Sequence, residues 1–109
     1  MSNWKKAIKT EQLQPGQRGC VKFGETQVAL FHLELGQWYA VQNRCPHKGQ
    51  DVISRGISGD KKGDPMVACA LHKNQFSLKT GACLSGDLET LVTYPVKLEG
   101  DVVWIEVTP

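Results

Sequence analysis

Charge is scarce in this sequence and almost balanced. Of 109 residues 22% are charged, with 13 Lys and Arg against 11 Asp and Glu and a net charge of +2. That excludes the dense basic footprint of a nucleic-acid binder. Long hydrophobic runs are missing too. None approaches the roughly 20 residues that span a bilayer, and the opening MSNWKKAIKTEQ has no apolar signal core. The expectation is a soluble, cytosolic protein. No internal repeat, low-complexity tract or long linker is visible. There is no G-x-G-x-x-G and no P-loop, and Asp51, Asp60 and Asp64 show no carboxylate pairing suited to acid–base work. The length suits one domain and leaves no room for an enzyme with separate cofactor and substrate domains. Such a chain buries about two-thirds of its unfolded surface and can fold alone. Cysteine is also sparse. Four of them, in a cytosolic chain, argue against a disulfide framework and for metal or redox chemistry.

What is present is β-like. Eleven Gly and five Pro punctuate short runs rich in Val, Ile, Leu and aromatic residues. Strands are predicted over Cys20–Phe23, Gln27–Leu33 and Trp38–Gln42, with Leu35-Gly36-Gln37 as a short hairpin connection. Val92–Glu99 and Val102–Val107 flank a compact Gly100-Asp101 turn, and Pro95 marks an edge or bulge. Met66–Cys69 and Gln75–Leu78 read as short strands, Asn43–Gln50 and Ser58–Pro65 as loops. Helical periodicity is weak; the best candidate is one turn at Thr10–Leu13, with Thr10 as cap and Gln14-Pro15-Gly16 as stop. The predicted class is all-β, a small antiparallel sandwich or barrel.

The chemistry is concentrated in one constellation: Cys45-Pro46-His47, then, after 21 residues, Cys69-Ala70-Leu71-His72. Two Cys-plus-His pairs on separate loops match the ligand pattern of a Rieske-type [2Fe–2S] centre, where two thiolates serve one iron and two imidazoles the other. With that donor set the oxidised cluster is neutral, whereas four thiolates would leave two negative charges. An added electron meets less repulsion, and the potential lies above that of an all-cysteine cluster. The imidazole N–H groups also couple electron uptake to pH. Two other readings stand beside this one. The residues are ordinary buried cysteines and surface histidines, or they form a Cys₂His₂ zinc site, although structural zinc pairs usually read C-x₂₋₄-C with H-x₃₋₅-H.

From Trp38 to Leu84 the sequence resembles the cluster-binding half of Rieske ferredoxins, including Phe76, Thr80 and Gly81, which match the F…TG after the family's second ligand loop. The resemblance implies a Rieske fold over 1–109: a base of antiparallel strands from 1–42 and 79–109, with a cluster-binding subdomain, 43–78, inserted. It implies that Cys45 and Cys69 hold one iron of a single [2Fe–2S] cluster and His47 and His72 the other. Within the family the chain is most similar to the small subunits of assimilatory NAD(P)H-dependent nitrite reductase, through its length, Trp4, Val52-Ile-Ser-Arg-Gly56 and Thr80-Gly-Ala-Cys83. That similarity implies a one-electron transfer subunit, incomplete as a catalyst alone. It also implies a large partner bearing FAD, a [4Fe–4S] cluster and sirohaem, which reduces nitrite to ammonia.

Some positions depart from the high-potential members of the family. Gln50 and Leu71 stand where those carry a disulfide, and Asn74 and Phe76 where they place serine and tyrosine hydroxyls near the cluster sulfurs. Fewer hydrogen bonds to sulfur favour the oxidised state, so the expected potential is near or below roughly −150 mV. Among the remaining residues, Cys20 and Cys83 are expected to be buried or semi-buried structural residues and His32 a solvent-side or hydrogen-bonded one. Trp38, Trp104 and Phe31 are expected in the core. Lys48 and Lys73 are either a basic rim that steers an acidic redox partner or solvated loop residues. Two other functions compete: a free ferredoxin supplying an aromatic-ring dioxygenase, and a non-redox adaptor whose site holds zinc or nothing.

Overall fold

The structure, a computed structural model, describes residues 4–24, 26–33, 37–44, 53–61, 64–69, 74–84 and 90–107. Within them the chain forms ten strands: β1 Trp4–Lys9, β2 Gln17–Phe23, β3 Thr26–His32, β4 Trp38–Gln42, β5 Ile57–Lys61, β6 Asp64–Ala68, β7 Gln75–Ser77, β8 Thr93–Tyr94, β9 Val96–Glu99 and β10 Val102–Glu106. The only helical segments among the described residues are 3₁₀ turns at Thr10–Gln12 and Ile53–Arg55. Among the described residues no helix is long and apolar enough to cross a membrane. The strands pair antiparallel throughout, in three sheets of order β1-β10-β9, β2-β3-β4-β8 and β5-β6-β7.

The second sheet is the middle layer, and the sequence of β3 shows why. Val28, Ala29, Leu30 and Phe31 are all fully buried, so the strand is covered on both faces and reads as a continuous apolar run. Ala29, Phe31 and Val41 turn to one side and pack with Ile53, Val67, Cys69, Phe76, Leu78 and Leu91. Val28, Leu30 and Ala40 turn to the other and pack with Val103 and Ile105 of β10. Pro95 separates β8, which pairs with β4, from β9, which pairs with β10. A residue that cannot donate to a ladder thus sits where the chain leaves one sheet for another.

Two local expectations are corrected, and one strand went unread. Ser58–Pro65 is not a loop: β5 and β6 pair across it, from Ile57 opposite Ala68 to Lys61 opposite Asp64. Gly59, Asp60 and Lys61 lie in β5, the edge strand of that sheet, where low strand propensity is tolerated, while Pro65, second in the central β6, accepts the Leu78 N–H at 2.9 Å. β1 is a strand without the usual alternation, because its register shifts between Lys6 and Ile8. The predicted turn at Thr10 forms, but Lys9 is its N-cap, and Gln12 Oε1 accepts the Lys9 N–H at 2.8 Å. The connection at Leu35-Gly36 lies outside the described residues.

Candidate metal centre

Of the four expected ligands, Cys69 lies within the described residues; Cys45, His47 and His72 lie outside them, as do Pro46, Lys48, Gly49, Gln50, Leu71 and Lys73. The structure does describe the ends of both segments that carry the missing three, and these ends meet on one frame.

Asn43 closes the first segment. Its backbone N–H donates to Gln27 O at 3.1 Å, and its carbonyl accepts the Ile53 N–H at 3.0 Å. Its side chain, 2% exposed, bonds Gln27 again and reaches two further residues. Oδ1 accepts the Ser54 N–H at 2.7 Å, while Nδ2 donates to Gln27 Oε1 at 2.9 Å and to Cys20 Sγ at 3.5 Å. The chain therefore leaves β4 and re-enters the fold at one residue, anchored to β3. The 3₁₀ turn that follows is tied by Gly56 N–H donating to Ile53 O at 2.9 Å. A Cβ on Gly56 would lie 2.1 Å from the Ala68 carbonyl oxygen, so only glycine lets this turn press against β6 one residue before Cys69.

The second segment is the tip of the β6–β7 hairpin. Ala68 pairs with Gln75, and Cys69 N–H donates to Asn74 O at 2.8 Å. Beyond β7 the chain turns sharply. Ser77 Oγ accepts the N–H groups of Lys79 and Thr80, Ser77 O accepts the Gly81 N–H at 2.8 Å, and Phe76 bridges to Cys83. Gly81 has φ +81°, and a Cβ there would meet the Leu91 carbonyl oxygen at 2.1 Å. The Phe76…Thr80-Gly81 pattern is thus one buried ring followed by a turn that only glycine completes.

Ile53, at the end of the first segment, and Cys69, at the start of the second, belong to one buried apolar cluster. Cys69 is a free thiol, 1% exposed. Among the described residues no three metal-ligating side chains gather, since three of the four expected donors lie outside them. The residues present fit a [2Fe–2S] group. A buried, unpaired thiol stands at a hairpin tip, and both donor-bearing segments spring from the same cluster. The expected donor set of two thiolates and two imidazoles would leave the oxidised group neutral, which suits an apolar floor.

Other expectations are resolved individually. Cys20 is exposed, not semi-buried, and its thiol donates to Gln27 Oε1 at 3.6 Å. Cys83 is partly buried against the Cys69 cluster, as expected. His32 is hydrogen-bonded but not solvent-side: it is buried, stacked on Trp38 at 3.9 Å, with Nδ1 donating to the Leu13 carbonyl at 2.8 Å. Phe31 is core, while Trp38 and Trp104 are half-buried. Asn43 was not singled out from sequence, because its importance comes from Gln27 and Ser54, and nothing local announces it.

The Rieske-like [2Fe–2S] domain family matches residues 3–106. Nitrite reductase [NAD(P)H] of Emericella nidulans is 34% identical over 94% of this chain, which spans only 10% of that protein's length. The nitrite reductase (NADH) small subunit of Escherichia coli is 31% identical, over 94% of this chain and 96% of that one. The crystal structure of an NADH-dependent nitrite reductase small subunit from Mycobacterium tuberculosis superposes with a TM-score of 0.92 at 32% identity, covering all of this chain and 98% of that one. With a match over nearly its whole length and an all-antiparallel fold to go with it, this chain belongs to the Rieske-like [2Fe–2S] domain family.

Proposed function

We propose that this chain is the one-electron transfer subunit of a cytoplasmic NAD(P)H-dependent nitrite reductase, serving the reduction of nitrite to ammonia in nitrate assimilation. The observation that carries this reading is the near end-to-end similarity, in sequence and in fold, to small subunits of that enzyme. The partner is a large subunit carrying flavin and sirohaem. Its similarity to about a tenth of a longer nitrite reductase supports the same arrangement, with the domain working beside a much larger catalytic body.

The ligands we assign are Cys45 and Cys69 to one iron and His47 and His72 to the other. When bound, the [2Fe–2S] group supplies a site that accepts and returns one electron without bond rearrangement in a substrate. The rest is done by the chain. Asn43 pins both ends of the first ligand segment to β3, and Gly56 lets that segment pack against β6. The Cys69 N–H bond to Asn74 O closes the second. The shared apolar floor keeps water away from the Cys69 sulfur. Phe76 is buried without a hydroxyl to donate, which leaves the reduced state less stabilised. We assign residues 43–78 to the cluster-binding part and 1–42 and 79–109 to the base that carries it.

Co-expression with the large reductase chain tests the reading. A stable complex that reduces nitrite with NADH or NADPH, and loses that activity when this chain is omitted, is the expected result. Electron delivery to an aromatic-ring dioxygenase, with no large-subunit complex, would replace the reading by that of a free ferredoxin.

A further inference from the structure

Beside the candidate metal centre lies a shallow depression of about 560 Å³ lined by Gln12, Leu13, Gly16, Gln17, Arg18, Ser54 and Arg55. Its polar lining is one-sided. Arg18 and Arg55 are both exposed, and among the described residues neither is paired with a carboxylate. The two glutamines also present donors. Gln12 Oε1 accepts the Lys9 N–H and Gln17 Oε1 accepts the Gln14 N–H, both at 2.8 Å. A backbone N–H can only donate, so those contacts identify the oxygen of each amide and leave its NH₂ group to donate elsewhere. Two guanidiniums and two amide donors then line one surface, and each glutamine oxygen already accepts one backbone N–H.

We propose that this depression is the docking site for acidic side chains, aspartates or glutamates, of the electron-transfer partner; the inference rests on the function proposed above and names the surface it uses. Charge complementarity identifies the occupant. Planar forked guanidiniums match carboxylates bidentately, and side-chain amides add neutral donors at the edge. The openness of the depression suits groups borne on a protein surface. Position gives it a purpose. Arg55 ends the 3₁₀ turn whose first two residues, Ile53 and Ser54, are bonded to Asn43, and Gly56 beside it presses on β6 next to Cys69. A carboxylate held here brings the partner against the base of both ligand-bearing segments.

The test compares Arg18→Glu/Arg55→Glu with Lys5→Glu/Lys6→Glu, an equal charge change on exposed residues of β1. Binding of the full chain to the large subunit is measured by calorimetry at low and high salt, with circular dichroism confirming that each variant folds. The arginine double variant is expected to bind roughly tenfold more weakly at low salt or worse, and with a flatter salt dependence, whereas the lysine control stays near wild type. Equal weakening in both double variants, or none in either, overturns the proposal while leaving the enzyme assignment intact. In a second measurement a short poly-glutamate peptide is titrated into the isolated chain by NMR. It is expected to move the Arg18 and Arg55 Nε–H and the Gln12 and Gln17 NH₂ signals; shifts confined to lysines overturn the proposal. If the large subunit fails to bind wild type while these four signals still move, the enzyme assignment falls and the acid-binding surface stands.

Discussion

Asn43 shows how one buried side chain sets the position of a whole ligand segment. Its amide makes three hydrogen bonds, one of them accepting the Ser54 N–H at 2.7 Å. Replacing it with alanine takes the acceptor from the Ser54 N–H and a donor from Gln27 Oε1, so Asn43→Ala is expected to cost about 2–3 kcal/mol in urea unfolding. Asn43→Asp keeps an acceptor for Ser54 but presents a carboxylate to Gln27 Oε1, and it should cost at least as much. Phe76 makes a second claim at this scale. The midpoint potential of the reduced-to-oxidised couple is expected near or below about −150 mV. A hydroxyl introduced by Phe76→Tyr should move it upward in protein-film voltammetry, and a wild-type midpoint above about 0 mV would contradict the account. Single residues were unevenly legible in the sequence. Phe76 and Gly81 stand in a recognisable spacing, and their roles follow from local turn chemistry. Asn43 lies in a stretch that reads as ordinary loop, and the exposure of Cys20 depends on where the rim of β2 ends up.

Among the elements, strands that alternate or run apolar were legible, because burial on one or both faces of a sheet imposes that pattern. β3 and β4 are the clear cases. β1 was not legible, since a register shift within it destroys the period; nor was β5, an edge strand with Ile57 left 69% exposed. The turn after β7 carries the next prediction. Gly81 occupies the left-handed region and also faces a carbonyl oxygen at 2.1 Å from any Cβ. The conformational cost alone is about 1–2 kcal/mol, and the steric displacement adds to it. Gly81→Ala is therefore expected to lose about 3 kcal/mol or more, read as a depressed Tm with the far-ultraviolet β signature retained below it. A loss under about 1 kcal/mol would mean the turn relaxes freely and does not brace the hairpin.

In the whole molecule, three antiparallel layers share the central sheet, and a different apolar cluster packs on each of its faces, one including Cys69 and the other Val103 and Ile105 of β10. Tyr94 packs against the cluster away from the centre, and burial raises its hydroxyl above the usual phenol pKa of about 10. The folded state therefore holds that proton to higher pH than the unfolded chain does. Its stabilising contribution is complete below about pH 10 and is lost as pH rises through the folded value. Urea midpoints taken between about pH 8 and 11 should fall at the alkaline end for wild type and fall less for Tyr94→Phe. The account depends most on the proposed donor set, of which Cys69 lies within the described residues. The most direct measurement is pulsed EPR on anaerobically purified, reduced protein with ¹⁵N-labelled histidine. The account predicts a mixed-valence cluster signal coupled to two histidine nitrogens and abolished by Cys69→Ser but not by Cys20→Ser. A colourless protein with stoichiometric zinc, or a cluster signal without histidine coupling, would contradict it.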